Sequence, residues 1–194
     1  MKKSLLLLVC AVAITSITQA QVRFGFKGGA NFANLTGDIE EVKMRVGFNA
    51  GAVAKISLSE SFSVQPELVY SNQGTSFEEG DSKINMHLNY INLPIMFQYN
   101  VSGFSIETGP QASFLMTAKL KADGESVDIK EGFKSIDFGW GIGAGYKMPG
   151  SGLGFNARFN IGLGKINDSE GDAKIKNSVI QAGLFYMLGG RPSK

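Results

Sequence analysis

The sequence holds a single cysteine, Cys10, and a single histidine, His87. Cys10 lies in an apolar run near the start, so the chain beyond residue 20 has no thiol and no disulfide framework to hold it. One histidine without a thiol is too little for a zinc site. Long hydrophobic runs are also missing. Nothing after Ala20 is apolar enough for a membrane helix, which needs ~20 such residues. Nor does either sign of charge dominate. The formal net charge of +2 comes from Lys2 and Lys3, and without them seventeen basic side chains face seventeen acidic ones. Nothing in that balance points to nucleic acid.

Residues 1–20 form a separate unit. Lys2 and Lys3 precede an apolar run over residues 5–14, and Thr18-Gln19-Ala20 presents a small-x-small site before Gln21. This is the pattern of a secretory signal peptide. The apolar run is short for a membrane anchor. A lipoprotein would need a small residue before Cys10, where Val9 stands. The remaining stretch suits one domain, expected over residues 21–190 with a tail at 191–194.

What the chain does have is alternation. In residues 136–148, Ile136, Phe138, Trp140, Ile142, Ala144, Tyr146 and Met148 share one parity, against Asp137, four glycines and Lys147 on the other. In residues 153–163, Leu153, Phe155, Ala157, Phe159, Ile161 and Leu163 alternate with Gly154, Asn156, Arg158, Asn160 and Gly162. Period 2 means strand. One face suits hydrocarbon and the other is small, polar or charged, the inverse of a soluble protein. Similar segments cover residues 21–31, 44–57, 62–74, 84–100, 104–117 and 174–188. We therefore expect an all-β fold, an eight-stranded antiparallel up-and-down transmembrane β-barrel. Phe138, Trp140, Ile142, Phe155, Phe159 and Ile161 should face lipid. Only a closed barrel satisfies strand backbone groups inside a bilayer.

The connections alternate in length. Residues 59–61, 101–103 and 149–152 are tight turns, whereas 34–43, 75–83, 118–134 and 164–173 read as long loops. Short periplasmic turns and long outer loops are the asymmetry of outer-membrane barrels. Thirteen of the seventeen acidic residues fall in the long connections, gathering charge at one rim. Tyr99, Tyr146 and Tyr186 lie near the opposite strand ends, as an aromatic girdle would. Pro66, Pro94 and Pro110 interrupt strands, each removing a ladder donor, and predict bulges or local irregularity.

The lumen parity carries Arg23, Lys27, Arg45, Lys55, Lys147 and Arg158 with Glu67, Glu107 and Asp137. An eight-stranded barrel is only wide enough for side chains to fill, and charges buried there must pair. The expectation is a structural network of Lys27, Lys55, Glu67, Glu107, Asp137, Lys147 and Arg158, with Glu67 and Glu107 around Arg158. A narrow ion path is the rival reading.

Other motifs fail on spacing. Gly139, Gly141, Gly143 and Gly145 recur every second residue within a strand, whereas a dinucleotide loop needs G-x-G-x-x-G opening a helix. Lumen glycines instead make room and ease curvature. Gly164-Lys165 is followed by Ile166, not Ser or Thr, so it is no P-loop. His87 near Asp81 and Ser82 could be imagined as a serine-type site, but no nucleophile motif accompanies it. Asp168-x-Glu170-x-Asp172 resembles half a calcium loop, yet Ala173 replaces the required glycine. No catalytic residue, cofactor or metal is expected.

Several segments resemble a known family. Residues Gln65-Pro66-Glu67-Leu68-Val69-Tyr70-Ser71-Asn72-Gln73-Gly74, then Asn89-Tyr90-Ile91-Asn92-Leu93-Pro94-Ile95, then Glu107-Thr108-Gly109-Pro110 with Phe114-Leu115, resemble successive strand motifs of the PorT-like outer-membrane β-barrel family of Gram-negative bacteria. Asp137-Phe138-Gly139, Gly145-Tyr146, Arg158-Phe159 and Gly162-Leu163 fit its later strands. The resemblance spans nearly all of the chain after residue 20 and includes the strand prolines. It implies an eight-stranded barrel in the cell outer membrane, without catalytic residues. Some family members are linked to protein secretion. The expected function is a non-enzymatic structural or interaction role, accessory to secretion or adhesion. A small outer-membrane enzyme acting on lipid or peptide, and a soluble lipocalin-like barrel, are the alternatives. Expected partners are outer-membrane lipid, the barrel-assembly machinery during insertion and a protein met through the long loops, for a monomer.

Overall fold

The computed structural model describes residues 21–38, 43–79, 82–122, 125–168 and 174–189. The expected signal peptide and the 191–194 tail lie outside them. Eight long strands run β1 (Gln21–Gly37), β2 (Lys43–Ser57), β3 (Phe62–Glu79), β4 (Ser82–Val101), β5 (Phe104–Ala122), β7 (Ile136–Lys147), β8 (Leu153–Gly162) and β9 (Ile175–Met187). A short β6 (Glu125–Asp128) lies between β5 and β7, followed by one turn of 3-10 helix at Lys130–Gly132. Every neighbouring pair is antiparallel, and β1 pairs with β9 to close the cylinder. Closure leaves none of the eight long strands as an edge.

The polarity is inside out. Phe138 is 62% exposed and Trp140 40%, whereas Arg158 is 3% and Glu67 5% exposed. Ile142, Phe155, Phe159 and Ile161 share the outward face. In lipid even an indole N–H needs a partner. Trp140 Nε1 donates to Thr108 Oγ1 on the neighbouring strand at 2.8 Å, and that hydroxyl donates on to the Gly141 carbonyl at 3.1 Å. Toward the short-turn end, Phe62 packs on Tyr99 and Phe104 on Tyr146, with ring centroids 5.1 and 4.6 Å apart. Such pairs form the amphipathic belt that anchors a barrel at the headgroups.

The structure corrects the expected loops. A strand crosses the bilayer in about 9–11 residues, yet β3, β4 and β5 run for 18, 20 and 19. Most of residues 75–83, read as a loop, is paired backbone from Thr75↔Met86 to Glu79↔Ser82. β5 likewise continues to Ala122 and pairs with β6. Hydrogen-bonded strand therefore replaces loop above the membrane. The prolines also behave differently from a simple bulge. Pairing lapses beside Pro66 and Pro94, but the register resumes unshifted at Val69↔Asn92 and Phe97↔Thr108. The real shifts fall between Met44 and Asn49 and at Asn89/Tyr90. A missing N–H thus costs a rung and not the register.

Phe159→Arg places a cation on the outward face in mid-strand. It is expected to destabilise the barrel by about 2–4 kcal/mol, read as a lower urea midpoint in lipid vesicles. An unchanged midpoint would mean that this face does not meet hydrocarbon.

Candidate functional site

The lumen is filled in successive layers. At mid-barrel sits an ion cluster. Arg158 on β8 donates from Nη1 and Nη2 to the two carboxylate oxygens of Glu67 on β3, at 2.9 and 2.8 Å, and from Nε to Glu107 Oε1 on β5 at 2.8 Å. Lys27 on β1 donates to Glu67 Oε2 at 3.1 Å. Gln65 completes Glu67 at 2.8 Å, and Gln98 donates to Glu107 Oε2 at 2.9 Å. These ion-paired side chains are at most 4% exposed. The fork of the guanidinium matches a carboxylate in a way an ammonium cannot. Two cations and two anions cancel, which is what makes their burial tolerable.

The alternating glycines shape this layer. A Cβ on Gly143 would sit 3.0 Å from Glu107 Oε1 and 2.6 Å from the Ala157 carbonyl. On Gly141 it would lie 3.2 Å from Met96 Cε and 3.4 Å from Arg158 Cδ. Their role is room for the cluster and the buried Met96.

Outward from the cluster comes an amide layer. Asn31 Nδ2 donates to Ser71 Oγ at 2.8 Å, and its Oδ1 accepts from Asn49 at 2.7 Å and Gln181 at 3.1 Å. Gln73 bonds Ser71 and Asn177. Asp137 belongs here, beside Gln111, Ser113, Asn160 and Asn177, and not in the Arg158 cluster. Beyond it lies an apolar plug that sequence reasoning missed. Leu35, Leu88, Tyr90, Leu115, Ala118 and Ile166 are 0–4% exposed, with Met86, Ile129, Phe133 and Ile175 packed against them. Burying apolar side chains inside the outer end stops water without any charge. The signal was present in Leu88 and Tyr90, which sit on the lumen parity of β4 although both are large.

At the short-turn end the filling stops. A cavity of about 220 Å³ is lined by Arg23, Lys55, Lys147, Ser59, Gln98 and Asn156 among others, with Lys27, Glu107 and Arg158 at its floor. Lys55 donates to Asn100 Oδ1 at 2.6 Å. Lys55 and Lys147 therefore stand at this mouth, apart from the Glu67 pairs.

His87 has a structural partner. Arg45 donates from Nη2 to His87 Nδ1 at 2.8 Å and from Nη1 to the Gln73 carbonyl at 2.8 Å. A guanidinium only donates, so Nδ1 accepts and the ring proton is on Nε2. The side chains of Asp81 and Ser82, imagined beside it, lie outside the described residues, as do Glu170 and Asp172 of the calcium-like run. Among the described residues no three His, Cys, Asp or Glu side chains gather as metal ligands.

Arg158→Leu strands two buried carboxylates and is expected to cost about 3–5 kcal/mol. Adding Glu107→Gln, which leaves the Lys27–Glu67 pair balanced, should recover part of that loss. Urea unfolding followed by gel mobility of unheated samples checks both. An Arg158→Leu midpoint equal to wild type would contradict the pairing.

Two solved structures share this architecture. Neisserial surface protein A superposes with a TM-score of 0.56 at 14% identity, over 84% of this chain and 96% of that one. The attachment invasion locus protein Ail of Yersinia pestis gives 0.53 at 16% identity, over 87% and 99%. At such identities the likeness is one of fold. No curated protein matches the sequence. The outer membrane protein beta-barrel domain model matches residues 18–168. Closed strands, a greasy exterior, a charged interior and that match agree: the chain belongs to the outer membrane protein beta-barrel domain family and resides in the outer membrane.

Proposed function

We propose that this protein is a sealed, non-enzymatic barrel whose strands, extended beyond the membrane, present a rigid surface to a protein partner, in a PorT-like role accessory to secretion or in adhesion. The observation that supports it most is the continuous filling of the lumen. The ion cluster, the amide layer and the apolar plug occupy successive levels, so neither an ion path nor a substrate channel runs through. What remains available is the outer rim. There β3, β4, β5 and β6 form hydrogen-bonded sheet well above the lipid band. A preformed surface loses less conformational entropy on docking than a loop would.

Charge indicates the kind of partner. The connections at residues 34–43, 75–83, 118–134 and 164–173 hold thirteen acidic residues and seven lysines. Lys174 and Lys176 do not reverse that balance. A basic protein surface is the complement. Ail has been solved with the heparin analogue sucrose octasulfate. A polyanion of that type suits a basic rim, and this rim is acidic. The enzyme alternative has only His87 to rest on, and Arg45 occupies its Nδ1. The soluble lipocalin-like alternative requires an apolar cavity inside a polar exterior, the reverse of the polarity found.

Because the chain after residue 20 has no cysteine, one introduced there is unique. Val127, exposed on β6, is the natural position. A thiol–amine crosslinker on intact cells is expected to capture one discrete partner from Val127→Cys and not from a cysteine at Gly150, in a turn of the opposite end. Planar-bilayer recordings should meanwhile show no conductance steps. Steady channel activity, or equal capture from both positions, would contradict the proposal.

A further inference from the structure

The mouth at the short-turn end, the periplasmic side of such barrels, carries more positive charge than its surroundings neutralise. Arg23 on β1 and Lys55 on β2 are direct cross-strand partners on the lumen face. Like charges directly opposite one another are destabilising. Arg23 and, less strongly, Lys147 at the end of β7 repel Lys55, and Glu107 offsets part of that repulsion. None of the three forms a salt bridge with a described carboxylate. Glu107 at the cavity floor is bonded by Arg158 and Gln98, and Glu67 is shared between Arg158 and Lys27. Glu60, in the turn, also lines the cavity, but it is exposed to solvent and bridges to none of the three. The neutral cluster below thus leaves three cations above it against one exposed carboxylate, Glu60.

The cavity between them has polar side chains on part of its wall, and Val53, Phe62, Val101, Phe104, Phe185 and Met187 on the rest. Ser57, Ser59, Ser63, Ser105, Asn100 and Asn156 line it with the cations. Arg23 Nε and Asn156 Oδ1 are buried without a hydrogen-bond partner. About 220 Å³ is smaller than the usual pocket for an organic ligand, about 300–1,000 Å³. It suits one compact oxyanion with some water. A single carboxylate would offset one of three positive charges, whereas a phosphate dianion offsets two and offers oxygens to both ammoniums and to the guanidinium fork.

From this we infer that the periplasmic mouth binds a phosphate group, held by Arg23, Lys55 and Lys147. The group is either that of a small solute, a dianion, or the phosphodiester of an inner-leaflet phospholipid reaching over the rim, a monoanion that offsets one charge but offers two free oxygens to the same donors. This site is independent of the partner surface at the outer rim. An anion between the facing side chains of Arg23 and Lys55 turns their repulsion into a clamp.

The test uses the full barrel in a phosphate-free maltoside detergent, with thermal unfolding as the readout. Inorganic phosphate is expected to raise the Tm saturably above matched chloride. Arg23→Gln with Lys55→Gln should raise the Tm without phosphate, by removing the like-charge pair, and abolish the phosphate response. Lys147→Gln, a milder change at a strand end, should weaken phosphate binding about tenfold, the loss of one charge-assisted hydrogen bond. Nanodiscs of phosphatidylglycerol supply the second arm. If they reproduce the Lys147-dependent stabilisation while inorganic phosphate does not, the source is a lipid headgroup. If inorganic phosphate acts alone or competes, the source is a solute. No stabilisation by either, or an undiminished response in all variants, overturns the inference.

Discussion

Everything in this molecule follows from placing a polypeptide where its backbone finds no water. In hydrocarbon each unpaired N–H or C=O costs several kcal/mol, so strands must close on themselves, and β1 meets β9 for that reason. Closure at eight strands fixes a narrow lumen. The lumen then decides which side chains are allowed inward. Arg158, Glu67, Glu107 and Lys27 fit because they neutralise one another at hydrogen-bond distance, and Gly141 and Gly143 leave them space. Even Trp140 obeys the same rule on the outside, by donating to Thr108.

The interior is graded along its axis, and the grading separates functions. Apolar side chains stop the outer end, amides and the ion cluster fill the middle, and cations crowd the inner mouth. Sealing the middle frees both ends for different work. The outer end carries an acidic, hydrogen-bonded extension of the sheet. The inner end carries unneutralised positive charge in a small cavity. Neither depends on passage through the barrel.

Much of this was legible from residue parity. The two faces of β7 and β8, from Phe138 to Ile161, could be assigned one by one because hydrocarbon tolerates no exceptions in the middle of the membrane. Glu67, Glu107 and Arg158 stood out as charges on the lumen parity of membrane strands. Legibility failed where that constraint ends. Above the bilayer Thr75 and Ser76 are both small, polar and buried, so no alternation marks them as strand, although they pair with Met86 and Asn85. Leu35, Leu88 and Leu115 break the lumen rule because they lie beyond the lipid, where an apolar plug is cheaper than another ion cluster. Pro66, Pro94 and Pro110 were visible as ladder defects. That the register passes through them unshifted depends on the neighbouring strands and is not written locally.

The central claim is the inside-out polarity of the strands, and spin-label accessibility along β8 tests it most directly. Single cysteines at residues 153–162, in a background with Cys10 replaced, carry the label in lipid vesicles. Oxygen accessibility is expected to peak at every odd position, Phe155, Ala157, Phe159 and Ile161, while even positions such as Arg158 and Asn160 stay shielded from oxygen and from a polar nickel reagent. A flat profile, or oxygen maxima at the even positions, would contradict the account.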